Sequence, residues 1–205
     1  MALDKDIVGS IEFLEVEGLQ GSTYLLKGPN GEQVKLNQSE VADEDEFEIG
    51  EEYSFFVYPN RSGELFATQN MPDITKDKYD FAKVLKTDRD GARIDVGLPR
   101  EVLVPWEDLP KIKELWPQAG DYLLVTLRID SNNQMFGRLA SETIVEGMFT
   151  PVMDDSKQNE MIEARAYRLL RVGSFLLSED GYKIFVHESE RKQEPRLGEK
   201  VEVRI

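Results

Sequence analysis

The sequence predicts an all-β fold made of five-stranded barrels in tandem, with the third barrel incomplete at its carboxyl end. One motif occurs three times, as VKLNQSE at 34–40, VLVPWED at 102–108 and IFVHESE at 184–190. A glycine follows each copy and opens the next predicted strand; these glycines are Gly50, Gly120 and Gly198. Their spacing of about 70 to 80 residues corresponds to one small β domain per repeat. Three copies of one module indicate a surface that binds an extended ligand.

Apolar and polar residues alternate in short runs, and turn-forming residues such as Pro29, Asn30 and Gly31 separate the runs. This pattern predicts the strands of small barrels rather than of one open sheet. In the first repeat the predicted strands are 10–16, 22–27, 32–37, 53–59 and 65–69. In the second they are 79–88, 92–96, 100–105, 122–130 and 135–140. In the third they are 163–170, 174–178, 183–187 and 200–205, and the fifth strand is missing.

The strands set the predicted domain boundaries. These are a first domain at 1–72, a linker at 73–78, a second domain at 79–141, a linker at 142–161 and a third, truncated domain at 162–205. Prolines bound the segment 106–116, which predicts one or two helical turns, and a short helix is predicted at 141–149. Because an open barrel exposes two strand edges, we expect a longer natural chain or another segment that covers them.

The composition excludes several classes of protein. The chain has no cysteine, so disulfides, thiolate catalysis and cysteine-bound zinc are excluded. The first residues lack the charged and then apolar layout of a signal peptide, and no apolar run is long enough to span a membrane. We therefore expect a cytoplasmic protein that makes no membrane contact.

The net charge of −15 is unevenly distributed along the chain. Residues 1–72 carry a net −11, residues 73–161 carry −5 and residues 162–205 carry +1. Nucleic-acid affinity depends mainly on neutralising phosphates, so the acidic first domain would repel a polyanion and the third would not. The acidic run at 43–52 is predicted to be a solvated surface.

No arrangement of residues indicates catalysis. The sequence has neither a phosphate-binding P-loop nor a nucleophile elbow, and His187 is its only histidine. A lone histidine lacks the partners of a zinc ligand set, and forty acidic residues guarantee chance pairs of carboxylates. We predict a protein that is not an enzyme and that uses neither a metal nor another cofactor.

Two segments carry a family resemblance. FVHESE at 185–190, which follows two predicted strands, resembles the signature of S-one-type RNA-binding domains, which are five-stranded OB-fold barrels. Together with DVGLPREVLVP at 95–105 and the tandem spacing, it makes the whole chain similar to the conserved virulence factor B family. The resemblance implies bacterial, cytoplasmic proteins that bind single-stranded RNA and influence the expression of virulence factors. It also implies a winged-helix domain that follows the third barrel and is absent from this chain.

The same resemblance implies a binding site in the third domain. There Phe175 and His187 stand at the aromatic and histidine positions of the family pattern. Aromatic faces stack on bases, and basic groups contact the phosphates. The basic residues near them in sequence are Lys183, Arg191, Lys192 and Arg196.

The second domain departs from the family pattern. Arg93 stands in place of the first aromatic residue, and Pro105 replaces the histidine. Asp130 fits an acidic position of the pattern, whereas Gln134 stands where arginine is usual. By the resemblance, Arg93 and Asp130 are the candidate RNA contacts of this domain.

The first domain departs further. Tyr24 keeps an aromatic residue and is its one candidate contact, but Asn37 replaces the histidine and Glu64 takes the arginine position. With a net charge of −11, the domain is a poor candidate for RNA. The third domain is therefore the predicted RNA site.

The candidate residues also have simpler interpretations. His187 fits equally well as a strand-end residue bonded to a neighbouring carboxylate, and Phe175 and Tyr24 fit equally well in a core. Trp106 and Trp116 are predicted to pack on the second barrel, with an exposed contact to a partner as the alternative.

The arginines of the third repeat also have a default interpretation as solvated or ion-paired groups. Period-two geometry places Arg168 on the opposite face from Arg165 and Arg171. The competing function is a protein-interaction scaffold, in which degenerate domains and the acidic first domain dock a basic protein.

Overall fold

A computed structural model describes residues 7–42, 46–149 and 157–205, and it confirms the all-β fold. The first repeat forms a closed barrel with the strand order β1-β2-β3-β5-β4. Its strands are β1 (Ile11–Gln20), β2 (Thr23–Lys27), β3 (Gln33–Asn37), β4 (Glu52–Pro59) and β5 (Leu65–Thr68). The pair β3 and β5 is parallel, and it closes the barrel.

The second repeat forms another closed barrel, in the order β10-β8-β7-β6-β9. Its strands are β6 (Asp80–Asp88), β7 (Gly91–Asp95), β8 (Val102–Pro105), β9 (Tyr122–Ile129) and β10 (Met135–Leu139). The predicted helical segment is present as two single 3₁₀ turns, Trp106–Asp108 and Lys113–Leu115. Trp116 donates its indole N–H to the Pro110 carbonyl at 2.6 Å. Trp106 is 54% exposed, so its predicted packing on the barrel is wrong.

The third repeat forms a four-stranded sheet in the order β13-β12-β11-β14. Its strands are β11 (Met161–Leu170), β12 (Gly173–Ser178), β13 (Lys183–His187) and β14 (Lys200–Arg204). The predicted short helix precedes it as α1 (Glu142–Glu146). Within the described residues, no helix is long and apolar enough to cross a membrane.

The first strand of every repeat has a β-bulge at the same place. The pairing register shifts between Val16 and Gly18 in β1, between Val84 and Lys86 in β6, and between Ala166 and Arg168 in β11. A bulge inserts one extra residue, so it bends the strand and re-aims the side chains that follow.

The three repeated glycines form backbone hydrogen bonds beside these bulges. The backbone N–H groups of Gly50, Gly120 and Gly198 donate to the carbonyl oxygens of Val16, Val84 and Ala166, over 2.8, 2.9 and 2.7 Å. The φ angles of the glycines are 91°, 93° and 85°, in the left-handed region that favours glycine. Each copy of the sequence repeat therefore forms the same backbone arrangement, in which a left-handed glycine is hydrogen-bonded beside a β-bulge.

Burial differs between the first and third repeats. In the first barrel, inward-facing side chains such as Val34 and Leu36 are at most 1% exposed. The third sheet has a smaller fully buried group, formed by Ala164, Ala166 and Leu176. The apolar side chains packed against this group are only partly buried; they are Leu169, Ile184, Val186, Val201 and Val203.

The chain divides into two compact units. The first comprises Met1–Asp80, Val96–Val102 and Thr126–Gly137. The second comprises Phe81–Asp95, Leu103–Val125 and Arg138–Ile205, and therefore contains the whole third sheet.

Within the second unit, the third sheet is bonded to residues of the second barrel. Arg196 donates through Nε and Nη2 to the two carboxylate oxygens of Asp121, both at 3.1 Å. The backbone N–H of Tyr122 donates to the Gly198 carbonyl at 3.0 Å. The guanidinium of Arg165 lies 4.2 Å from the centre of the Tyr122 ring. Ionic, backbone and stacking contacts thus join the two repeats here.

Candidate nucleic-acid interface

The outer face of the third sheet carries three aromatic side chains, Phe175, Phe185 and His187, called here the aromatic row. Phe175 of β12 lies opposite Phe185 of β13 in the pairing register. Their ring centres are 4.8 Å apart, and those of Phe185 and His187 are 6.4 Å apart. Phe185 is 45% exposed. The row therefore offers ring surface to solvent.

Gly173 allows the two strands to bring these rings together. It lies opposite His187 and two residues before Phe175, so it is on the same face. A Cβ atom here would lie 2.4 Å from the Val186 carbonyl oxygen and 2.6 Å from the Phe185 ring. Glycine is therefore required for the close approach of Phe185 to β12.

His187 is exposed at the end of β13. Its Nδ1 accepts a hydrogen bond from the backbone N–H of Ser189 at 3.2 Å and lies 2.8 Å from the Ser189 hydroxyl. Because Nδ1 accepts the backbone bond, a neutral ring carries its proton on Nε2. The bonding partner is thus Ser189 rather than a neighbouring carboxylate.

The bulge in β11 adds Tyr167 and Arg168 to this face. Arg168 pairs with Phe175 in the register, and the Tyr167 and Phe175 ring centres are 6.2 Å apart. Arg165 pairs with Leu177, which lies two residues from Phe175, so Arg165 and Arg168 share one face. The predicted alternation of these arginines is wrong, because the extra residue of the bulge interrupts the period of two.

Two cations stand beside the Phe175 ring. The Arg168 guanidinium carbon lies 5.8 Å from the ring centre, and the Lys183 Nζ lies 5.6 Å from it. Both cations are hydrogen-bonded to Glu142 of α1: Arg168 Nη1 donates to Oε2 at 3.1 Å, and Lys183 donates to Oε1. The Tyr167 hydroxyl lies 3.3 Å from Oε2. One carboxylate thus binds three groups at the edge of the aromatic row.

The protonation of this cluster follows from its surroundings. Burial alone would raise the pKa of Glu142, but the hydrogen bonds from Lys183 and Arg168 outweigh it and lower the pKa. Burial and the adjacent Glu142 carboxylate raise the pKa of Tyr167. At neutral pH the cluster therefore holds a charged carboxylate and a neutral phenol.

The other predicted basic residues of the third domain lie in different surroundings. Arg191 donates to the Ser174 hydroxyl at 2.7 Å and pairs with Glu194 at 3.0 Å, and its side chain is only 14% exposed. Arg196 is bound to Asp121 as described above. Lys192 is exposed, and no ion pair is found for it among the described residues. Of these three, Lys192 is the one whose charge is available.

The candidate residues of the second barrel are held by local contacts. Arg93 pairs with Asp88 at 3.3 Å and with Asp90 at 3.4 Å. The Asp130 side chain accepts the backbone N–H groups of Asn132 at 2.8 Å and Gln134 at 2.9 Å. Asp130 therefore shapes the turn between β9 and β10. These two residues do not join the aromatic row.

Tyr24 occupies a different position from Phe175. It pairs with Leu36 and packs against the core of the first barrel, where its ring centre lies 5.1 Å from that of Phe47. In the register, Leu25 is the residue that corresponds to Phe175. The equivalence of Tyr24 and Phe175 that the sequence implied is off by one residue, which changes the face of the strand.

Sequence reasoning missed four residues of the interface, namely Phe185, Tyr167, Arg168 and Glu142. Phe185 had a usable signal, because it alternates with Lys183 and His187 along one strand. The other three depend on the bulge and on contacts that are distant in sequence. No metal site is found in the described residues, since no three histidine or acidic side chains converge there.

Comparison with known families covers almost the whole chain. Residues 8–70 match the family described as S1 domain, and residues 79–138 match the first S1-like domain of CvfB. Residues 148–205 match the second domain of virulence regulatory factor CvfB.

Individual relatives agree with these matches. The chain is 91% identical to a conserved virulence factor B of Staphylococcus epidermidis and 85% identical to one of Staphylococcus aureus, over all 205 residues. It spans 69% and 68% of those relatives.

A solved structure is also similar. It is described as a multidomain protein with nucleic acid binding domains from Streptococcus pneumoniae, and it matches with a TM-score of 0.84 and 28% identity. The match covers 98% of this chain and 69% of that one. Repeat, fold and sequence identity agree that the chain belongs to the conserved virulence factor B family.

Proposed function

We propose that the chain binds single-stranded RNA on the outer face of its third sheet. The observation that carries the proposal is the aromatic row beside two cations. Base stacking on aromatic side chains contributes about 1–3 kcal/mol per base, and it tolerates many sequences because every base has a flat face. Phe185 and His187 supply exposed rings, and Lys192, an exposed cation five residues after His187, is a candidate for a phosphate contact.

The comparisons support the same function. S1-type domains compose the chain, and the similar pneumococcal structure is described as having nucleic acid binding domains. The family name, virulence regulatory factor, supports a role in controlling gene expression. We propose that this role is exercised in the bacterial cytoplasm by binding alone, without catalysis.

The test is a fluorescence-anisotropy titration of a labelled oligouridylate of about 12 nucleotides, a length within the site sizes of OB-fold domains. Phe185→Ala removes an exposed ring of the aromatic row, and Phe13→Ala removes a ring that is 68% exposed on the acidic first barrel. We expect Phe185→Ala to weaken binding by about tenfold, the loss of one stacked base. We expect Phe13→Ala to leave binding unchanged. Equal affinities in the two variants would contradict this location of the site.

A basic protein partner is the second candidate function. It is favoured by Ile11 and Phe13, which are 45% and 68% exposed on one face of β1 in a strongly acidic region. A partner bound there would remain after ribonuclease treatment of a lysate and would be lost with Phe13→Ala. A partner removed by ribonuclease supports RNA binding instead.

A further inference from the structure

We infer that Arg168, Lys183 and Tyr167 form a phosphate subsite, which Glu142 occupies in the free protein and an RNA phosphate takes over on binding. The inference rests on the proposed RNA-binding function and adds to it a specific phosphate position and an internal competitor. One carboxylate binds all three groups, lies beside the aromatic row and is open in part to solvent.

The three groups form an anion site by their chemistry. Arg168 Nη1 at 3.1 Å and Lys183 donate to opposite oxygens of Glu142, and the Tyr167 hydroxyl lies 3.3 Å from one of them. Arginine and lysine donors bind carboxylate and phosphate oxygens by the same charge-assisted hydrogen bonds. A neutral phenol adds a donor without charge. The contacts that hold the carboxylate are thus the contacts that a phosphate needs.

The position of the subsite fits a nucleotide. Both cations lie within 6 Å of the Phe175 ring centre, and that ring is 4.8 Å from Phe185. A base stacked on the aromatic row would therefore carry its phosphate toward Arg168 and Lys183. Single-strand binding sites combine such stacking with a basic track for the backbone.

Glu142 is held weakly enough to be displaced. The side chains of Glu142, Arg168 and Lys183 are 26%, 45% and 24% exposed, so the pair with Arg168 is the more open to solvent. Ion pairs open to solvent contribute little, about 0.2–1 kcal/mol each. Glu142 begins a helix of five residues that has no side-chain cap at Ser141. Helices this short are marginal by themselves, so the first turn of α1 can rearrange locally.

The decisive comparison is between Glu142→Gln and Glu146→Gln, measured with the same oligouridylate. Both substitutions remove one negative charge from α1, but Glu146 is exposed and makes no hydrogen bond to the cluster. We expect Glu142→Gln to bind about three- to tenfold more tightly than Glu146→Gln, since the carboxylate no longer competes for Arg168 and Lys183. Glu142→Asp, which keeps the charge but shortens the reach, should give an intermediate affinity.

A double-substitution cycle tests the subsite itself. Arg168→Gln should weaken binding more when Glu142 is already Gln than in the unmodified chain, because only then is the arginine free of its internal partner. Hydrogen exchange of β11 and β13 checks that each variant keeps the sheet.

Two results would overturn the inference. If the chain binds RNA and Glu142→Gln binds no more tightly than Glu146→Gln, Glu142 does not compete and the phosphate lies elsewhere, while the proposed function stands. If neither the chain nor any variant binds RNA at low salt, the proposed function fails and the subsite fails with it.

Discussion

The first and third repeats share one backbone but differ in the side chains of one face. The register equates four positions of the two outer faces. In the first barrel they hold Gly18, Leu25, Lys35 and Asn37, and in the third sheet they hold Arg168, Phe175, Phe185 and His187. The barrel fixes where these positions lie, and the residue types decide whether they bind bases.

The charged side chains of the two faces also differ. Lys35 replaces Phe185, and its amine is paired with Glu64 at 2.8 Å. The hydrogen bond from Lys35 is the main cause that lowers the pKa of Glu64. The one cation among these four positions is thus neutralised by a neighbour. A fold that is repeated within one chain therefore does not repeat its binding face.

Substitutions at the position that Phe175 and Leu25 share should give the largest difference in RNA affinity between the two faces. Phe175→Ala should weaken oligouridylate binding by about 10- to 100-fold, because it removes stacking surface and the ring that lies within 6 Å of both cations. Leu25→Ala at the corresponding position should leave the affinity unchanged. Anisotropy titrations measure both, and a loss of affinity from Leu25→Ala would mean that the first barrel also binds RNA.

Core substitutions should cost more stability in the closed first barrel than in the open third sheet. Val34→Ala removes two methyl groups from a side chain that is 1% exposed, and should cost about 2 kcal/mol of local stability. Val186→Ala makes the same change at a partly buried inward position and should cost about half as much. Hydrogen exchange during urea unfolding, read separately for β3 and β13, checks this. Equal costs would show that Val186 is as well enclosed as Val34.

The smallest expected effect concerns single charges. Lys192→Gln should lessen the salt dependence of RNA binding by about 0.7 in the slope of log K against log salt, the value for one phosphate contact. Lys35→Gln should not change the slope, because Glu64 already neutralises that amine. Titrations at four salt concentrations measure both slopes. An unchanged slope for Lys192→Gln would remove Lys192 from the interface.

The predictability of this structure from sequence depends on the range of each interaction. Alternation and turn residues predicted the strands, because both act over a few residues. The repeat drew attention to Gly50, Gly120 and Gly198, and their left-handed φ angles explain why glycine recurs there.

The binding face was only partly predictable. Phe175 and His187 follow from a local motif, and the structure places both on the outer face. The bulge before Arg168 reverses the side-chain pattern of β11, and local alternation gives no sign of an added residue. Glu142 meets Arg168 and Lys183 across 26 and 41 residues of sequence. Its role therefore arises only from the tertiary fold.

The bonds between Asp121 and Arg196 and between Tyr122 and Gly198 have a consequence for avidity. When a flexible tether joins two binding sites, the second site meets an already bound ligand at an effective concentration that the tether length sets. Here direct bonds within the second unit join Asp121 and Tyr122, at the start of β9, to Arg196 and Gly198, which precede β14. A ligand that contacts residues on both sides of these bonds would therefore meet groups whose spacing is set by folded structure rather than by the length of a linker.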